Sequence, residues 1–261
     1  MTGARVMPVL FVGHGSPMNA IEDNEFSRGW QALARRLPRP RAILCVSAHW
    51  ETRGPAVTAV ERPETIHDFY GFPEALFAIE YRAPGDPALA GRVAELLAPE
   101  PVRLADDWGL DHGAWSVLHV MYPEADIPVV QLGIDTTRPG GFHLDLARRL
   151  APLRGEGVLV MGSGNIVHNL RYFRRDRAPA LDWAARFDAT VRGRIEEGDV
   201  AALSRLDSLG PDGRLAIPTP EHYLPLLYAL ALRREDDSLS FFNDIVTSSI
   251  SMTSVLLEPA A

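Results

Sequence analysis

The chain has 261 residues, is 46% hydrophobic and 23% charged, and carries a formal net charge of -8. That composition suits a globular protein with a sizeable core and argues against nucleic acid or an anionic membrane as partner. All 26 basic residues are arginine and Cys45 is the lone cysteine, which excludes lysine Schiff bases, the P-loop lysine, an intrachain disulfide and a thiolate zinc site.

In chain order, short apolar runs alternate with amphipathic stretches. "VMPVLFV" (6–12) reads as a strand buried on both faces, and it ends at "GHGSP", where His14 stands between two glycines. "FSRGWQALARRL" (26–37) has helical spacing with arginines on its polar side. "AILCVSA" (42–48) is a second strand, followed at once by His49. A helix over "PALAGRVAELLA" (87–98) precedes "WGLDHGAW", which places His112 at a helix start. Next come a strand, "IPVVQLG" (127–133), a helix, "GFHLDLARRLAPL" (141–153), and a strand, "GVLVMGS" (157–163), with His168 a few residues beyond it. "PALDWAARFDATVRGRIEEG" (179–198) is the longest helix candidate, with Gly198 as its stop. "PEHYLPLLYALALRR" (220–234) carries proline near its first turn and His222 at its entrance. "SLSFFNDIV" and "SISMTSVLL" form an antiparallel pair at the C-terminal end.

This order implies a three-layer α/β/α fold with a central, mostly parallel mixed sheet and C-terminal antiparallel strands. No repeat or linker interrupts it, so residues 1–261 are expected to form a single domain. Its ligand site should lie beyond the carboxyl ends of the central strands. No run reaches the roughly 20 apolar residues of a membrane span. The first residues hold too short an apolar stretch for a secretory signal, so a cytoplasmic location is expected.

Five histidines, His14, His49, His112, His168 and His222, thus fall at strand tips or helix entrances; His67, His119 and His143 do not stand out in this way. Neutral imidazole is the commonest protein ligand for zinc and iron, and without thiolates three or four histidines are the natural way to hold a catalytic metal. Gly13 and Gly15 would then spare the metal or its substrate from crowding. "GHGS" and "GSGN" match neither a dinucleotide nor a Walker spacing, and the nucleophile elbow G-x-S-x-G is missing from "GHGSP".

Taken together, "GHGSPMNAIEDN", "SAHWE", "HDFYGFP", "LDHGAWSVL", "GSGNIVHNLR" and "EHYLPLL" resemble, in order, the motifs of the 4,5-DOPA dioxygenase family. This family is a branch of the class III extradiol ring-cleaving dioxygenases, non-haem metal enzymes that open catechols. The resemblance implies a metal held by His14, His49 and His222, with His168 either a fourth ligand or the acid–base residue beside it. Distant relatives use two histidines and a glutamate; here that position falls on His222, preceded by Glu221. The resemblance further implies His112 as a second acid–base candidate, with Asp111 as its orienting group or as a helix cap. "HDFYGFP" would supply an aromatic wall, with Tyr70 and Phe72 against the substrate ring and Phe69 beside them.

The activity implied is cleavage of a small aromatic diol, DOPA-like or related, by dioxygen with Fe2+, in a site that also suits Zn2+. A zinc-dependent hydrolase is the alternative enzyme, and a catalytically silent metal- or ligand-binding protein is the alternative outside catalysis.

Overall fold

The computed structural model describes residues 6–174 and 178–260. Its strands are β1 (Val9–Gly13), β2 (Ala42–Glu51), β3 (Ala56–Thr58), β4 (Arg103–Ala105), β5 (Val129–Ile134), β6 (Val158–Gly164), β7 (Asp237–Phe242), β8 (Val246–Thr247), β9 (Ile250–Ser251) and β10 (Ser254–Pro259). Eight of them make one mixed sheet in the order β4-β3-β5-β2-β6-β1-β10-β7, and β8 pairs with β9 alone. The four strands read from their apolar runs are its parallel centre, β5-β2-β6-β1. β10 runs antiparallel to both β1 and β7, as the C-terminal pair implies.

The helices are α1 (Glu25–Arg36), α2 (Glu74–Phe77), α3 (Pro87–Leu97), α4 (His112–Met121), α5 (Gly140–Arg148), α6 (Pro152–Gly155), α7 (Asp182–Glu197), α8 (Val200–Leu203), α9 (Gly210–Ala216) and α10 (Leu224–Ala231). Strand periodicity sorts them into layers. Val9 and Phe11 of β1, with Leu44 and Val46 of β2, join the apolar faces of α3, α5, α7 and α10 in one core. Leu10, Val12, Ile43 and Cys45 face the other way, onto Phe26, Trp30 and Leu33 of α1 and Trp115 and Leu118 of α4. A sheet buried on both faces explains why the central strands read as continuous apolar runs.

Helix ends follow local chemistry. Asn24 caps α1, accepting from the backbone of Phe26 and Ser27, and Gly198 stops α7 in the left-handed conformation at φ 74°. The stretch expected as one helix over 141–153 divides into α5 and α6, with Pro152 opening the second. α10 starts at Leu224, because residues 220–223 form a turn that delivers His222.

His143 of α5 is structural. It is fully buried, with Nδ1 3.0 Å from the Tyr228 hydroxyl and Nε2 3.1 Å from the Asp135 carbonyl. Burial pushes its pKa down to about 4, against opposing help from Asp135. The unfolded chain therefore binds a proton that the folded one refuses between about pH 6.5 and that value. Its contribution is whole above the unfolded pKa and fades as pH falls. Urea unfolding should show a loss of about 2 kcal/mol from this group between pH 7 and pH 5. The His143→Gln variant should lack that part of the pH slope; an unchanged slope refutes the assignment.

Candidate metal and ring-opening site

The site lies where the chain order of the sheet switches. β6 sits between β1 and β2, and the carboxyl ends of all three open onto one crevice, the position expected for an open α/β sheet. His14 follows β1 and is held there by a backbone bond from its N–H to the Gly164 carbonyl (3.1 Å) and by Asn19 Nδ2 donating to its carbonyl (3.0 Å). His49 is carried near the end of β2 itself. His222 lies on β6 because Gly164 has no side chain; a Cβ there would collide with the His222 carbonyl oxygen. The flanking glycines of His14 have a different reason from the one expected. A Cβ on Gly13 would lie 2.6 Å from the Met252 backbone, and one on Gly15, at φ 59°, would strike the Met252 sulfur. They admit the C-terminal segment, not the metal or substrate.

Hydrogen bonds fix how each ring faces. The Ser163 hydroxyl donates to the Gly113 carbonyl (2.5 Å), so it can only accept from His14 Nδ1, 3.0 Å away. His14 Nδ1 thus carries the proton and Nε2 is free. His49 Nδ1 is 3.1 Å from the Asp68 carboxylate, and His222 Nδ1 is 3.0 Å from Glu221 Oε1. All three rings spend Nδ1 on an acceptor behind them and turn Nε2 forward. His14 Nε2 and His49 Nε2 stand 3.2 Å apart, and His222 Nε2 is buried with no partner among the described residues. Ring centroids of the three lie 5.0–5.3 Å from one another. The 3.2 Å between His14 Nε2 and His49 Nε2 is spanned either by a shared proton or by one ion with bonds of about 2.0–2.2 Å, and the adjoining His222 ring offers a third nitrogen. The residues present fit a metal.

The remaining two histidines flank this group. His168 stacks face to face on His222, centroids 3.4 Å apart and planes within 7°. His112 begins α4, lies 3.9 Å from His49 by ring centroid, and places Nδ1 2.9 Å from Asp68 Oδ2. One nitrogen each of His14, His49 and His112 lie within 4.8 Å of one another, as do donors of His168, Glu221 and His222.

Electrostatics keep most of these imidazoles neutral, as metal binding requires. Burial, reinforced by neighbouring histidines, pushes His14 and His222 well below the ordinary range and His168 down to about 3. Burial and then His49 lower His112 as well. His49 is the exception. Burial lowers it, but the Asp68 hydrogen bond and the charges of Asp111, Asp68 and Glu221 together leave it raised. Burial alone would raise Asp68, yet its bonds from His112 and His49 hold it far below the usual carboxylate range.

The five sequence-predicted histidines meet in this crevice. The predicted aromatic wall does not form as expected. Tyr70 is 91% exposed, because the chain turns outward before Gly71 at φ 74°. Phe72 is half-buried and packs edge-on against Phe69, whose own ring meets His112 edge-on at 5.5 Å. Asp111 caps α4, accepting from Ala114 N–H, Ser47 Oγ and Gln131 Nε2. None of these bonds comes from His112, whose Nδ1 lies 2.9 Å from Asp68 Oδ2 instead. Sequence reading missed Asp68 and Ser163; an acid between a histidine and an aromatic run was the signal available for the first.

Residues 8–255 match the model of a family described as the catalytic LigB subunit of aromatic ring-opening dioxygenase. The chain is 51% identical over 255 residues to the 4,5-DOPA dioxygenase extradiol of Escherichia coli (strain K12), across 95% of this chain and 94% of that protein. It is 38% identical over 245 residues to the protein of the same name from Beta vulgaris, across 92% and 91%. A crystal structure of an uncharacterized Escherichia coli K12 protein superposes with a TM-score of 0.82 at 45% identity, covering 96% of this chain and 99% of that one. These relatives do not favour the hydrolase or silent-binder alternatives, and no helix among the described residues is long and apolar enough to cross a membrane. The chain belongs to the LigB family and is an extradiol ring-opening dioxygenase, a non-haem metal enzyme acting on an aromatic substrate with dioxygen.

Proposed function

We propose that the chain, acting as one catalytic unit, opens a DOPA-like catechol at ferrous iron held by His14, His49 and His222. The observation that supports the ligand set is the mutual contact of these three rings, centroids 5.0–5.3 Å apart, each with Nδ1 against an acceptor and with His222 Nε2 buried without a partner among the described residues. When bound, the ion supplies Lewis-acid binding of both catechol oxygens and access to dioxygen. Three imidazoles also suit zinc, which would fill the same site without the redox chemistry.

The protein's own part is orientation and proton handling. His168, stacked on His222, is the residue assigned to take a proton from a catechol hydroxyl and return it later in the reaction. His112 is a second such group across the site. Phe69, backed by Phe72, offers the ring an aromatic edge, the part first assigned to Tyr70. The substrate class follows from the relatives named for DOPA. A cytoplasmic setting suits ferrous iron, which a reducing compartment maintains, and the free buried thiol of Cys45.

Oxygen uptake tests the reading. With ferrous iron, a catechol panel including DOPA should consume oxygen and give ring-opened products. The mono-methylated counterparts should react at least about 10²-fold more slowly, the order lost when reacting groups are misplaced. Both compounds present nearly the same face to Phe69, so equal turnover would rule out chelation.

A further inference from the structure

We infer that Asp68 is a positioning residue that orients the proposed ligand His49 and the proton-handling His112 together, through one carboxylate oxygen. Asp68 Oδ2 is 3.1 Å from His49 Nδ1 and 2.9 Å from His112 Nδ1. Its other oxygen, Oδ1, accepts from the His112 backbone N–H at 2.9 Å. Both imidazoles hold Nδ1 at ion-pair distance from the same atom, that of His112 off the line of a hydrogen bond, and their rings lie side by side with centroids 3.9 Å apart. His14 completes the group, its Nε2 3.2 Å from that of His49 and one nitrogen of each of the three rings within 4.8 Å of the others. A carboxylate serving one histidine would aim a ligand. One serving two sets the distance between ligand and proton carrier.

Among the described residues no other carboxylate forms an ion pair with both rings. Asp111 accepts from Ser47, Gln131 and Ala114, and Glu221 Oε1 serves His222 and Thr219. The segment bearing Asp68 is itself held firmly. Ile66 donates its N–H to the Leu110 carbonyl (2.7 Å) and accepts from Trp115 Nε1 (2.8 Å), and Phe69 sits among Phe72, Phe77 and Trp115. The carboxylate is delivered to its place by aromatic packing, so it imposes an orientation instead of following one.

The inference rests on His49 being a metal ligand, and the test separates the two. Metal affinity is measured on apoprotein by competition between cobalt or zinc and a chromophoric chelator, and kcat and KM for a catechol by oxygen uptake. Asp68→Asn, nearly isosteric, should weaken metal binding by about 10–100-fold, the usual effect of losing a ligand's supporting partner. At saturating metal it should lower kcat while leaving KM within about threefold, and this loss should shrink in the His112→Gln background, because the two residues act as one unit. Asp68→Glu keeps the charge but shifts the carboxylate by a methylene, and should recover neither property. Full recovery in Asp68→Glu would overturn positioning in favour of charge alone, and so would a kcat loss fully additive with that of His112→Gln. Wild-type metal affinity in Asp68→Asn would also overturn it. A His49→Gln control that binds metal as tightly as wild type would instead refute the ligand assignment.

Discussion

His222→Gln should lose metal affinity by more than about 100-fold, exceeding the upper end of what removing a mere supporting residue costs. The argument is one of geometry and burial. His222 is 7% exposed, its Nδ1 is committed to Glu221, and its Nε2 is buried without a partner. A buried imidazole nitrogen left unmatched costs free energy unless something fills its lone pair, and the rings of His14 and His49 lie 5.3 and 5.0 Å away. Glutamine fills much of the volume but cannot present a ring nitrogen along that line. Glu221→Gln should cost less, about 10–100-fold, because it removes the support and leaves the donor. Metal analysis of both purified variants, with oxygen uptake at limiting and saturating iron, checks the ranking. If Glu221→Gln proved the worse of the two, the carboxylate would be the ligand and His222 its neighbour.

His168→Phe should lower turnover by about 10²–10⁴-fold, the usual contribution of a general acid–base group, and retain its metal. Phenylalanine preserves the flat face that stacks on His222 at 3.4 Å, so the ligand beneath keeps its seat while the proton carrier is lost. His168→Ala removes both the stack and the carrier, and comparing the two separates packing from chemistry. Loss of iron in step with activity in His168→Phe would make His168 a fourth ligand. Unimpaired turnover in both would take it out of the reaction.

The central sheet was legible because its strands are buried on both faces and must be apolar throughout. β3 and β4 were not, being only three residues each, too short for any period, and two of the three residues in β4 are exposed. The histidines announced themselves by position, at strand tips and helix entrances where this architecture builds sites. Their supports did not. Ser163 reads as one more small residue in a strand, yet its hydroxyl determines which nitrogen of His14 carries the proton. Asp68 acquires meaning only once the loop folds beside both β2 and α4. Adjacent Phe69 and Tyr70 are interchangeable in composition; which one turns inward is decided by packing against Phe72, Phe77 and the distant Trp115.

The C-terminal segment that rests on Gly13 and Gly15 also bears on when the centre comes into being. Ser254 Oγ accepts the Gly13 N–H at 3.0 Å, and Met252 lies against the glycines on either side of His14. A chain emerging from the ribosome therefore carries four of its five imidazoles long before the seat of the first is complete. Contacts this distant in sequence form late, after the closure entropy of nearly the whole chain has been met. An ion is then expected to meet a scaffold already assembled. Its binding adds to stability by mass action, in proportion to the logarithm of free metal.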